Sequence, residues 1–280
     1  MISVNAYAKV NLSLEIIGKR EDGYHIIDTV MQTISLFDVV DIKKASNGDI
    51  TIICDEDGLS GESNLCYKAA RLFFDKTKID GGCCVNIKKN IPVSAGLGGG
   101  SADAAATLKG LNLLYGQPLD LFELKKLALS LGADVPFFIE GGTARARGIG
   151  EQLKKIENNL HLYFLLIKEG EKPSTAFMYK EIDELGVLPL SEKISDDCEK
   201  SLASGDIRLF ENSLKNHFTL VWDYEKIKQD IIAVGARQVS LSGSGPTVIG
   251  IFKNKNDTKK AFEILSKKYD CIYYAESINE

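Results

Sequence analysis

A chain of 280 residues, 44% hydrophobic and 26% charged, is that of an ordinary globular protein able to bury the core of one large or two modest domains. Its 34 Lys plus Arg against 39 Asp plus Glu leave a net charge of -5, which argues against a general nucleic-acid binder. No apolar run approaches the roughly eighteen residues that span a bilayer, and residues 1–6 lack the basic start and apolar core of an export signal, so a cytoplasmic protein is expected.

Taken in order, residues 2–17 alternate apolar with small or polar side chains, a period of two that predicts a long strand or hairpin arm. Lys9 falls at its middle and Asn11, two places on, shares its face; either the lysine points to solvent or the pair lines a polar cleft. Residues 18–25 form a charged turn with Asp22 and Gly23 as the turn pair, and Tyr24 and His25 leave it side by side. Residues 26–44 and 49–54 read as strands, 64–76 as a helix with Leu65, Ala69, Leu72 and Phe73 at helical spacing, and 83–88 as a strand. The six cysteines contain no C-x-x-C pair and only three histidines accompany them, so reduced thiols are expected and neither a zinc site nor a histidine-rich metal centre.

Next come Pro92, Val93, Ser94, Ala95, Gly96, Leu97, Gly98, Gly99, Gly100, Ser101 and Ala102, running into a helical pattern over 103–115. The glycines let the backbone take positive φ and come close to a ligand with its amides turned inward. Ser101 is the expected N-cap, and the unpaired N–H groups after it would add partial positive charge, so the stretch predicts a cradle for an oligophosphate. It is not a Walker A loop, because Gly100 is followed directly by Ser101 with no lysine between. Nor is it a dinucleotide fingerprint: the acid at the right offset, Asp120, follows Pro118 and opens another helical pattern as an N-cap. A flexible linker is the bland alternative, but linkers do not usually run straight into a long helix.

Residues 121–131 read as a second helix. Asp134 is then a single acid among apolar neighbours, with Pro136 stiffening the backbone; a cap or turn is its bland reading. Residues 143–150 predict a strand that ends the first domain, and from about Leu153 the pattern starts afresh. Strands are expected at 160–168, 238–242, 248–253 and 271–277, and helices at 174–184 (behind a turn at 171–173), 207–222, 224–234 and 257–269. Leu241 to Thr247 holds more small residues than a plain hairpin needs, so its backbone could approach a bound group.

In this order and at these separations, the Lys9-bearing strand, the Gly-Leu-Gly-Gly-Gly-Ser loop and the Ser-Gly-Ser-Gly-Pro loop resemble the GHMP kinase superfamily over nearly the whole chain. The resemblance implies an α+β, two-domain fold: a ribosomal-protein-like, ATP-binding N-terminal domain over 1–153 and a ferredoxin-like C-terminal domain over 154–280, with the active-site cleft between them. Residues 8–12, 19–25, 131–137 and 148–151 are similar to the branch that phosphorylates the 2-hydroxyl of a methylerythritol carrying cytidine diphosphate, in the non-mevalonate route to isoprenoid precursors. ATP is then the phosphoryl donor, with Mg2+. Asp134 is implied as the base, and Lys9 as the cation that stabilises charge near the attacking oxygen. Residues 92–102 would hold the ATP phosphates, with the Ser101 hydroxyl as a magnesium contact. Tyr24 would stack on cytosine, His25 bond its edge and Tyr179 close the other face. Asn11 would touch the methylerythritol end, with Thr175, Ser242 and Gly243 near the same pocket.

Arg237 and Gln238 depart from the small residues usual before the last loop, and 187–206 matches poorly and is assigned no role. The competing readings are a GHMP kinase for another small alcohol such as homoserine or mevalonate, a non-catalytic nucleotide-binding relative, and an RNA binder. Tyr24 and His25 after Asp22-Gly23 stand against the first, retention of Lys9 and Asp134 against the second, and the acidic balance against the third. The partner is a small molecule with no nucleic acid or membrane, and the assembly a monomer or dimer.

Overall fold

The computed structural model describes residues 1–46, 48–171, 174–186 and 193–279. Two compact units interleave along the sequence: one holds Met1–Ala8, Leu36–Val93 and Gly98–Glu140, the other Lys9–Ser35, Ser94–Leu97 and Gly141–Glu280. Strands β1 (Ile2–Lys19) and β2 (His25–Ala45) are long enough for each to contribute residues to both units, and the residues of the glycine stretch are likewise divided, 94–97 in one and 98 onward in the other. Among the described residues no helix is long and apolar enough to cross a membrane.

In the first unit, β3 (Ile50–Cys54) pairs in parallel with β4 (Gly82–Lys88), and β4 runs antiparallel to the second half of β2, from Val39 opposite Lys88 to Ala45 opposite Gly82. Helices α1 (Leu65–Thr77), α2 (Gly99–Leu114), α3 (Leu121–Leu131) and α4 (Val135–Glu140) complete it. Asn64 starts α1 by accepting from the Cys66 amide at 2.8 Å, and Asp120 starts α3 through a reciprocal capping box with Glu123. Helix α2 is buried along nearly its whole length from Ala102 to Asn112, its alanines and leucines spread around the helix rather than along one stripe, and α1 and α4 pack against it.

In the second unit the first half of β2 pairs antiparallel with β5 (Thr143–Gly148), which turns back into β6 (Gln152–Lys155). A separate four-stranded antiparallel sheet has the order β10-β7-β9-β8, made of β7 (Tyr163–Lys168), β8 (Gln238–Leu241), β9 (Thr247–Phe252) and β10 (Ile272–Glu276). The unit also holds α5 (Thr175–Glu184), α6 (Ile194–Ser204), α7 (Ile207–Ser213), a 3-10 turn (His217–Leu220), α8 (Glu225–Ala233) and α9 (Lys255–Leu265). Leu165, Ile167, Val239, Leu241 and Val248 from the sheet meet Met178, Phe218 and Ile231 in one buried cluster.

Several expectations change. The single helix expected over 207–222 stops at Ser213, because Asn216 is drawn into tertiary bonds: its Nδ2 donates to Leu241 O (3.0 Å) and Gly243 O (2.8 Å), while its Oδ1 accepts from the Phe218 amide. Helices α4 and α6 and strand β6 were not anticipated. Arg237 and Gln238 both donate to Glu211 of α7, to its carboxylate (2.6 Å) and its carbonyl (3.2 Å) respectively. Of the turn expected at 171–173, residues 172 and 173 lie outside the described residues, as do 187–192 of the unassigned stretch. All six cysteines are free, and burial pushes the Cys83 and Cys198 thiols up to about 12, so both are packing groups rather than nucleophiles.

Candidate active site

In the second unit the period of two along β1 puts Lys9 and Asn11 on one face, and Lys9 Nζ donates to Asn11 Oδ1 at 2.7 Å. Lys9 is 5% exposed, so it is not the solvated strand lysine that the sequence also allowed. Asn11 Nδ2 donates to Thr29 Oγ1 (2.8 Å), whose hydroxyl in turn donates to the Ser13 carbonyl, so the amide that orients Lys9 is itself oriented from β2. The Ser242 hydroxyl accepts from the Asn11 amide (3.4 Å) and donates to Gly96 O (3.1 Å), and the Lys9 amide donates to Leu97 O (3.0 Å). Lys9, Asn11, Gly96, Leu97 and Ser242 are thus drawn together. Gly243 joins them, since a Cβ there would lie 3.5 Å from Asn11 Oδ1, and the Thr175 hydroxyl reaches the same loop through Ser244 at 3.1 Å.

Gly96 has to be glycine. Its φ is +76°, and a Cβ would sit 2.5 Å from Ser242 O and 2.9 Å from Gly245 O. Gly96→Ala is expected to destabilise the protein by about 1–3 kcal/mol, read as a lowered urea midpoint at unchanged slope; an unaltered midpoint would contradict this close approach.

Tyr24 stands at the turn before β2 with 60% of its surface exposed, while His25 beside it is buried. The His25 ring stacks on Tyr179 of α5, centroids 4.4 Å apart and planes 12° from parallel, and His25 Nε2 lies 2.7 Å from Asp183 Oδ1. Tyr179 therefore packs on His25, and its second aromatic neighbour is Phe218.

In the first unit the cradle opens α2. The expected cap at Ser101 is wrong: the helix starts three residues earlier, with Gly98 as N-cap at φ +73°, and Ser101 lies within its first turn. The Ala102 amide already reaches Gly98 O (2.9 Å), leaving the amides of Gly99, Gly100 and Ser101 as the ones a helix cannot satisfy. Left-handed Gly98 turns the chain more tightly than a serine cap would, so the glycines themselves form the first helical residues. Just before the cradle, Lys89 Nζ pairs with Asp38 and, at 2.7 Å, with Asp103 Oδ2, all three side chains buried. Val93 and Pro92 follow, exposed and half-buried. Asp134, half-buried, ends the turn that opens α4, its carbonyl accepting from Phe137 N at 3.2 Å.

Two family models match this chain, GHMP kinases N terminal domain over residues 64–142 and GHMP kinases C terminal over 198–271. A 4-diphosphocytidyl-2-C-methyl-D-erythritol kinase of Clostridium botulinum strain Langeland is 41% identical over 281 residues, 98% of this chain and 99% of its own length. The chain belongs to the 4-diphosphocytidyl-2-C-methyl-D-erythritol kinase family of GHMP kinases. A second relative in that family, from strain Eklund 17B, is 39% identical over 99% of this chain and 100% of its own. Among solved structures, a 4-(cytidine 5'-diphospho)-2C-methyl-D-erythritol kinase superposes with a TM-score of 0.80 at 30% identity, covering 99% of both chains. A homoserine kinase from Cytophaga hutchinsonii, at 21% identity and a TM-score of 0.72, shares the fold.

The sequence did not reveal several residues that organise this GHMP kinase. Asp183 was findable: it lies four residues after Tyr179 on one helix, hence on the same face. Thr29, Asn216 and the Lys89 ion pairs were not, because each acts through a partner distant in sequence.

Proposed function

We propose that this chain transfers the γ-phosphoryl group of ATP to the 2-hydroxyl of 4-(cytidine 5'-diphospho)-2-C-methyl-D-erythritol, giving the 2-phosphate and ADP. The reading is carried by the two Clostridium botulinum relatives of that name, matched over essentially their full length. Residues 1–153 would supply the nucleotide-binding half and 154–280 the other.

Phosphoryl transfer needs an aligned hydroxyl, an acceptor for its proton and positive groups around the moving charge. Asp134 takes the proton of the 2-hydroxyl as its oxygen bonds to the γ-phosphorus and the bond to ADP breaks. Lys9, aimed by Asn11, offsets negative charge on the attacking oxygen. The first amides of α2 hold the phosphates of ATP, with Pro92 to Leu97 as the rest of the cradle. Tyr24 supplies an exposed aromatic face for cytosine and His25 a ring nitrogen for its edge. Thr175, Ser242 and Gly243 border the methylerythritol end.

The Ser101 hydroxyl is an oxygen donor in the first turn of α2, which is the donor chemistry magnesium takes, most of its shell coming from phosphate and water. Bound there, magnesium would neutralise phosphate charge. Among the described residues no group of three His, Cys, Asp or Glu side chains is placed to hold a metal ion.

The test is a substrate panel. ADP release is expected with the cytidine-linked methylerythritol and far more slowly with homoserine or mevalonate; equal turnover of all three would refute the assignment.

A further inference from the structure

We propose that Asp183 is a positioning residue that fixes which ring nitrogen of His25 faces the base and so makes the site select cytosine over uracil. The inference rests on the reading that His25 meets the base edge.

His25 is held from two directions. Its ring lies flat on Tyr179, which is itself wedged edge-on against Phe218 at 5.0 Å, so the imidazole plane is set by packing. Its Nε2 meets Asp183 Oδ1 at 2.7 Å, and the other oxygen of that carboxylate accepts from Lys19 Nζ at 2.6 Å. Tyr179 and Asp183 are four apart on α5, so the stacking ring and the carboxylate reach His25 from one helix face.

An ionised carboxylate only accepts, so the ring nitrogen bonded to it carries the proton. Burial works against ionisation of Asp183, but the bonds from Lys19 and His25 outweigh it and hold the group below the usual carboxylate range. In the neutral ring Nδ1 then keeps its lone pair, and among the described residues no group donates to it. Cytosine offers an exocyclic amine at C4, a donor, where uracil offers a carbonyl oxygen, an acceptor. A lone pair on Nδ1 accepts from the first and repels the second.

The experiment compares cytidine-linked and uridine-linked methylerythritol as substrates of the wild-type protein and of Asp183→Asn, with nitrogen NMR of His25 in both. A carboxamide can accept from or donate to Nε2, so the variant loses the preference for one tautomer. For the wild type we expect a proton on Nε2, none on Nδ1 and a strong preference for the cytidine substrate. In Asp183→Asn we expect mixed tautomers, a raised KM for the cytidine substrate with kcat at saturation within about twofold, and a cytidine-to-uridine ratio of kcat/KM that collapses by about ten- to a hundredfold, the scale of one mismatched hydrogen bond. A simple loss of fold would lower kcat for both substrates and would not redistribute the tautomers. A wild-type proton on Nδ1, or intact base preference in Asp183→Asn, overturns the inference. Wild-type indifference to the cytidine substrate would instead sink the functional reading beneath it. Should Asp183→Asn not fold, the tautomer of wild-type His25 decides.

Discussion

Replacing Asp134 with alanine is expected to lower kcat by at least about a hundredfold, and Lys9→Ala to do the same, the usual scale for a lost proton acceptor or preorganised charge. An alcohol holds its proton tightly at neutral pH, and the transition state forms only if that proton has somewhere to go. Lys9 is buried, so its charge acts through protein rather than water and is worth correspondingly more. Its direction is set by the 2.7 Å bond to Asn11, and Asn11 is in turn tied to Thr29. Lys9→Arg should therefore not rescue activity, since a wide planar guanidinium does not occupy the place of a compact ammonium. If both groups serve one step, the double variant should lose little more than the worse single one. The measurement is ADP release at saturating ATP and alcohol, with melting curves to exclude loss of fold; near-normal kcat in either single variant would remove that residue from the mechanism.

How much of this was legible in the sequence depends on how local the signal is. Strands β1 and β2 show an uninterrupted period of two or an apolar run, and α1 and α3 carry Asn64 and Asp120 as side-chain caps, so all four read correctly. The pairing of Lys9 with Asn11 follows from the same period. The start of α2 misled because Ser101 has the better capping side chain, whereas the chain uses the left-handed backbone of Gly98 and no side-chain cap. Helix α4 spans only Val135–Glu140, too short to display a helical period, and α7 ends where Asn216 finds partners in the β8–β9 loop rather than where any breaker stands. The sequence shows each of these side chains but not the distant groups that claim them.

Lys89 is the extreme case, a lysine beside Lys88 at the end of a strand, and its removal is expected to cost about 3–5 kcal/mol of stability, the scale for breaking a buried ion pair from one side. Asp38 is fully buried; besides Lys89 it accepts from the amides of Asn90 (2.5 Å) and Ile91 (2.8 Å), so it pins the chain where it leaves β4 for the cradle. Asp103, from α2, takes the same ammonium through Oδ2, while its buried Oδ1 has no hydrogen-bond partner among the described residues. Two buried carboxylates thus share one cation. Lys89→Met keeps the apolar stem and removes only the charge, so a loss close to that of Lys89→Ala would assign the cost to electrostatics rather than packing. The trio also has a pH signature. Burial pushes the Asp103 carboxyl up, Lys89 pulls it down and Asp38 raises it again, leaving it at about 7. A carboxyl raised above its unfolded value of about 3.9 contributes fully to stability below that value and loses the contribution as pH rises through the folded one. Asp103→Asn abolishes this drift, so the stability of the variant relative to wild type should climb between pH about 4 and 7 and level off above, measured by urea unfolding across that range. A relative stability independent of pH would mean that Asp103 is ionised as readily in the folded chain as in the unfolded one, and that Lys89 fully compensates both carboxylates.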